Sequence, residues 1–250
     1  MLEVVICGAA RTPIGGFQGY FDGVSASELG GAAIKAAILG AGVITVDEVL
    51  MGNVLPAGQG QAPARQAGFA AGLDDAVPAT TVNKMCGSGM KTTMIGYNHI
   101  ALGQSNLMAV GGMESMSNAP HILPKMRSGI RLGHTEIKDH MFFDGLEDVY
   151  DKGRLMGAFA EDCAEKYQFT RQAQDKYALK SLANALEAEK KGAFDNEIAP
   201  YIVTAPKGDR TISADEQPAN ARPEKIPHLK PAFRKDGTVT PANSSSISDG

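Results

Sequence analysis

Residues 2–116 predict an α/β fold in which helices pack on a mostly parallel sheet. Short apolar runs alternate there with longer amphipathic ones in the order β-α-β-α-β-α-β. Glycines follow several of the apolar runs, where such sheets place their sites. Charge is also sparse: residues 1–116 carry 13 charged side chains, against 39 in residues 117–250. The first part therefore reads as a tightly packed layered core. The second reads as a more solvated unit, with a boundary near Ser117-Asn118-Ala119-Pro120, where turn residues cluster.

Taken in order, Leu2–Cys7 is the first expected strand and residues 11–17 are a loop. Ser25-Ala26-Ser27-Glu28 has the capping-box spacing and opens a helix to about Leu39, which Gly40 and Gly42 end. Glu48–Leu55 is the second strand, and a Pro/Gly-rich loop runs from Pro56 to Gln61. Pro63 suits the first turn of a helix that continues over Arg65–Ala71. Pro78–Val82 is a buried strand, and Gly87–Leu102 a helix expected to be covered on most faces, since Lys91 is its only charge. Leu107–Val110 is the next strand. Residues 117–155 are irregular, and Leu155–Tyr167 is a helix. Thr170 caps another to Lys191, with Ala173, Tyr177, Ala178, Leu182, Ala185 and Leu186 on its apolar face. Glu197–Thr204 is a strand, and 205–236, rich in Pro and charge, is a solvated connection.

Composition excludes several classes. The net charge of −4 argues against a dedicated nucleic-acid binder. The longest apolar runs are too short and interrupted to span a bilayer, so no membrane partner is expected. Cys7, Cys86 and Cys163 are widely spaced and odd in number, which fits a reducing compartment, the cytoplasm, rather than a disulfide framework. His99, His121, His134, His140 and His228 are scattered, with no metal-ligand spacing. No glycine cluster matches a phosphate-binding fingerprint.

The chemistry converges on Val82-Asn83-Lys84-Met85-Cys86-Gly87-Ser88-Gly89. Cys86 falls between the end of an expected strand and the start of an expected helix. Unpaired N–H groups and the positive end of the helix dipole stabilise an anion there, and a thiolate is one. Gly87 and Gly89 let a substrate approach the backbone, and the N–H of Cys86 can face a developing oxyanion. The residues alone leave two readings open. One is an inert buried thiol, the commoner state of a free cysteine. The other is a nucleophile.

These residues resemble a known family. Ala10–Gly15, Met51–Val54, Gly60–Gln66, Asn83–Gly89 and Gly111-Gly112-Met113-Glu114-Ser115-Met116-Ser117 are similar to motifs of the N-terminal part of thiolases, in particular acetyl-CoA C-acetyltransferases. Leu229–Phe233 and Gly237–Thr240 complete the set. The resemblance implies a thiolase-like layered α-β-α fold, with a mixed, mostly parallel sheet in the N-terminal half and an inserted loop domain. Residues 1–116 would carry the nucleophile, 117–242 would be the insertion that binds CoA, and 243–250 would begin the return.

The resemblance further implies that Cys86 is the catalytic nucleophile. It also implies that Leu146, Met156, Ala232, Phe233, Ala242 and Ser245 contact CoA. Leu155 and Ala219 depart from the pattern, standing where members carry a histidine and an adenine-stacking arginine; Arg222 and Lys225 are nearby cations. The implied partners are acetyl-CoA or another acyl-CoA, as substrate, and further copies of the chain in a homodimer or homotetramer. No metal or other cofactor is implied. The family's base histidine and second cysteine would lie beyond residue 250, so this chain alone is expected to be inactive. A non-catalytic acyl-CoA-binding module of the same fold is the alternative.

Overall fold

The computed structural model describes residues 3–206 and 208–250. In chain order the elements are β1 (Gly15–Gly16), α1 (Ala26–Gly40), β2 (Glu48–Gly52), α2 (Pro63–Ala70), β3 (Ala79–Val82), α3 (Ser88–Ala101) and β4 (Met108–Gly112). They continue with β5 (His121–Ile122), β6 (Lys138–Asp139), α4 (Met156–Lys166), α5 (Arg171–Lys190), β7 (Tyr201–Val203), β8 (Arg210–Ile212), α6 (Glu216–Asn220) and β9 (Ser248–Asp249). They form two compact units. The first comprises residues 1–120, 195–215 and 248–250, and the second 121–194 and 216–247. This division differs from a single 117–242 segment, because residues 195–215 join the first unit.

The first unit is built on a parallel three-stranded sheet in the order β3-β2-β4. Its register pairs Gly52 with Val82 on one side and with Gly112 on the other, so three strand ends finish level. Side chains alternate across a strand. Val49 and Met51 therefore enter one core with Ile34 and Ile38 of α1, Ala64 and Ala67 of α2, and Met113. α1 starts where the sequence places it: Ser25 Oγ accepts from Glu28 N at 3.2 Å, and Ser25 N donates to Glu28 Oε2 at 2.9 Å.

The opposite sheet face carries α3. A Cβ on Gly52 would lie 2.6 Å from Ser88 Cβ, so only glycine permits this approach. The buried stripe of α3 is Ser88, Thr92 and Gly96, small residues at four-residue spacing. Thr92 Oγ1 donates to Gly111 O at 2.8 Å and joins helix to sheet. The expectation that α3 is covered on most faces is corrected: Met90, Met94 and Tyr97 are 74%, 55% and 51% exposed. The small residues, and not the large apolar ones, make the sheet contact.

The expected first strand is also corrected. Leu2 lies outside the described residues, and residues 3–7 form no strand. They have no ladder partner among the described residues, and Val5 and Ile6 are exposed. A segment without a neighbouring strand gains no sheet hydrogen bonds. Within residues 11–17, β1 pairs antiparallel with β9.

Residues 195–215 were expected to contribute one strand and a solvated connection. They form a hairpin, β7 with β8, whose Ile212 packs with Phe21, Val24 and Leu29. Phe21 and Tyr201 meet edge to face at 5.6 Å, and Arg11 Nε donates to Glu197 Oε1 at 2.6 Å.

The second unit holds α4, α5, the β5–β6 pair and α6. Thr170 caps α5, its Oγ1 accepting from Ala173 N at 3.2 Å. The inward face of α5 includes Ala178, Leu182 and Ala185, but Ala173, Tyr177 and Leu186 are exposed, contrary to expectation. The most buried residue of the helix is Asp175, which accepts from Arg171 Nε at 2.7 Å and Asn243 Nδ2 at 3.0 Å. Buried Glu161 of α4 plays a matching part: its carboxylate accepts from Thr238 N at 2.9 Å and Val239 N at 2.8 Å.

Candidate active site

Cys86 lies past the end of β3 and two residues before α3, and it is exposed. Several bonds shape the turn. Met85 adopts φ +49°, a left-handed conformation that is uncommon for a side chain of its size. Asn83 Oδ1 accepts from Met85 N at 2.9 Å. Ser88 Oγ accepts from Lys84 N at 2.9 Å and donates to Met85 O at 2.5 Å. Gly87 N donates to Lys84 O at 3.2 Å, and Lys91 N to Gly87 O at 2.9 Å. The residue after the sulfur is the helix cap, and it has no side chain.

Beneath the turn lies a polar network that the sequence reading did not single out. Glu114 accepts from Asn53 Nδ2 at 2.7 Å, Val54 N at 2.7 Å and Leu55 N at 3.1 Å. It thereby holds the segment that leaves β2. Val54 O in turn accepts from Asn83 Nδ2 at 3.4 Å. Buried Asn53 and the Glu of Gly-Gly-Met-Glu were the available signals, since polar groups inside a layered core need partners.

At the C-terminal edge of the same unit, Asp249 is fully buried and accepts from Ser117 N at 2.9 Å and Ser117 Oγ at 2.5 Å. Burial pushes its carboxyl above the usual range despite those bonds.

The six residues expected to contact CoA all lie in the second unit. Met156 opens α4 and is exposed. The next residue, Gly157, leaves room for the Phe233 ring, which would sit 2.3 Å from any Cβ there. Ala232 N donates to Val239 O at 2.9 Å, so the Phe233 segment is held by the loop that Glu161 anchors. Ala242 and Ser245 belong to a turn built on Thr240, whose carbonyl accepts from Ser244 N at 3.1 Å. Leu146 ends a π-helical turn over Met141–Leu146 and is half-buried. Met156 and Phe233 thus converge on the start of α4, while no direct bond links Leu146 or Ser245 to that pair among the described residues.

Among the described residues, no group of three His, Cys, Asp or Glu side chains is placed to hold a metal ion. None of their helices is long and apolar enough to cross a membrane.

A parallel sheet with an exposed cysteine between β3 and α3 defines a class: an α/β protein with a free thiol on a strand-to-helix turn. Comparison with known proteins narrows it. Residues 4–250 match the family described as Thiolase, N-terminal domain. The chain is 47% identical over 254 residues to an acetyl-CoA acetyltransferase of Cupriavidus necator, covering 100% of this chain and 64% of the relative. It is 43% identical, with the same coverage, to a probable acetyl-CoA acyltransferase of Staphylococcus aureus. Among solved structures, the Bacillus anthracis acetyl-CoA acetyltransferase superposes with a TM-score of 0.93 at 40% identity, over 98% of this chain and 62% of that one. The chain belongs to the thiolase family. It spans about 64% of the length of the curated relatives it matches.

Proposed function

We propose that the protein is an acetyl-CoA C-acetyltransferase with Cys86 as its nucleophile. The observation that carries this reading is an exposed sulfur on the turn between β3 and α3, in a chain of thiolase family. The names of the relatives support an acyl-CoA substrate.

In the proposed reaction Cys86 Sγ, as thiolate, attacks the thioester carbonyl of acetyl-CoA. The tetrahedral intermediate expels the CoA thiolate, which takes up a proton, and an acetyl-cysteine remains. A second acetyl-CoA loses a proton from its α-carbon to a base. The resulting carbanion attacks the acetyl-cysteine carbonyl, forms the C–C bond and releases the Cys86 thiolate and acetoacetyl-CoA. Thiolysis is the same path in reverse. Covalent catalysis divides one difficult step into two, and sulfur serves because nucleophile and leaving group are both thiols. The resemblance assigns the base to a histidine outside residues 1–250. The N-terminal end of α3, 14 residues long, favours negative charge beside the sulfur.

The second unit is proposed to hold CoA through Leu146, Met156, Ala232, Phe233, Ala242 and Ser245. Support comes from the Phe233–Gly157 stack, which fixes an aromatic ring beside exposed Met156. The proposed assembly is a homodimer or homotetramer, measured by light scattering. The test of the reaction is thiolysis of acetoacetyl-CoA by the native protein and its Cys86→Ser variant. Loss of turnover by at least about 10³-fold is expected, and a variant with parent-like turnover refutes the assignment.

A further inference from the structure

We infer that Asn83 is a positioning residue for Cys86, tying the turn that presents the sulfur to the segment that leaves the neighbouring strand β2. The inference rests on the reading of Cys86 as nucleophile. Its warrant is that the two ends of one side chain are used separately. Oδ1 accepts from Met85 N at 2.9 Å, which closes a local turn that ends at the residue before the sulfur. Nδ2 donates to Val54 O at 3.4 Å, the longer and weaker of the two bonds, 29 residues away in sequence.

The geometry needs such a tie. Met85 is held at φ +49°, a left-handed conformation disfavoured for a residue with a Cβ. Its side chain is 45% exposed, so packing does not fix it. Three bonds act on Met85 instead: Asn83 Oδ1 on its N–H, and Ser88 N and Oγ on its carbonyl. Val54 is itself immobilised, because Glu114 Oε2 accepts from its N–H at 2.7 Å. Glu114 also exchanges two backbone bonds with Gly250, Glu114 N to Gly250 O at 2.8 Å and Gly250 N to Glu114 O at 2.9 Å. A continuous set of bonds thus runs from Gly250, the residue after β9, through Glu114, Val54 and Asn83 to the residue before Cys86. Its end is the backbone that sets the direction of the sulfur.

Alkylation reads this directly, because it needs no CoA site. The rate constant for iodoacetamide at each cysteine is followed by peptide mass spectrometry across pH. Cys7 and Cys163, both exposed, serve as references in the same molecule. Asn83→Ala is expected to slow Cys86 about tenfold and leave Cys7 and Cys163 unchanged. Adding Met85→Gly, which removes the cost of positive φ, is expected to recover most of the loss. A Cys86 rate within about twofold of the parent in Asn83→Ala, or no recovery in the double variant, overturns the inference. If Asn83→Ala loses its cooperative melting transition, Asn83→Asp takes its place. It keeps the acceptor for Met85 N and loses the donor to Val54, so an intermediate rate is expected and a parent-like rate overturns the tether. The nucleophile reading fails separately, through absence of acetyl transfer from acetyl-CoA to Cys86 in the native parent protein.

Discussion

Arg11 grips Asp215 through two parallel hydrogen bonds, Nη1 to Oδ1 at 2.7 Å and Nη2 to Oδ2 at 3.0 Å. Ile14 N adds a third donor at 2.9 Å. Burial pushes the Asp215 carboxyl upward, but these donors outweigh it and hold it below the usual carboxylate range. A lowered carboxylate contributes stability that is present above the unfolded value of about 3.9 and lost as pH falls through the folded one. Asp215→Asn is therefore expected to flatten the acid limb of stability, measured by urea midpoints across pH. Parallel acid limbs in parent and variant would contradict it.

Asp249 has the opposite sign. Its carboxyl is raised by burial, so its contribution is full below about 3.9 and is lost as pH rises through the folded value. The stability deficit of Asp249→Asn relative to the parent should shrink from acid to neutral pH in the same urea series. A deficit that grows with pH would show that the Ser117 bonds, and not burial, dominate.

Gly52 sits where any side chain meets Ser88. Gly52→Val should cost about 1–3 kcal/mol by overpacking and push α3 off the sheet. Chemical denaturation measures the first effect, and a fall in Cys86 alkylation relative to Cys7 the second. Unchanged stability would mean that the helix–sheet spacing is not set here.

Glu161 anchors the loop that carries Phe233. Glu161→Ala leaves the N–H groups of Thr238 and Val239 without their acceptor and should destabilise the protein by about 1–3 kcal/mol, read by denaturant midpoint. Phe233→Ala tests the proposed ligand role of the same region. It should weaken CoA binding about tenfold by isothermal titration, and an unchanged Kd removes Phe233 from the site.

What could be read from sequence was local. The capping box of Ser25 and Glu28, the Thr170 cap and the glycine-flanked cysteine each depend on neighbours within a few residues, and each stands in the structure where the spacing places it. What escaped depends on distant partners. Asn83 meets Val54 29 positions away, and Arg11 meets Asp215 204 positions away. The β7–β8 hairpin lies in a charged stretch and is secured by Phe21. The exposure of Met90, Met94 and Tyr97 was missed for another reason. Hydrophobic periodicity assumes that large side chains face the sheet, and here Ser88, Thr92 and Gly96 do.

The central claim is that Cys86 accepts an acetyl group from acetyl-CoA. Native protein is incubated with acetyl-CoA, quenched in acid and digested with trypsin, and the peptide spanning residues 85–91 is weighed. The account predicts acetyl on that peptide, discharged by added CoA and missing in Cys86→Ser. Acetyl that persists in the Cys86→Ser protein at another residue, or a parent peptide that never gains it, would contradict the account.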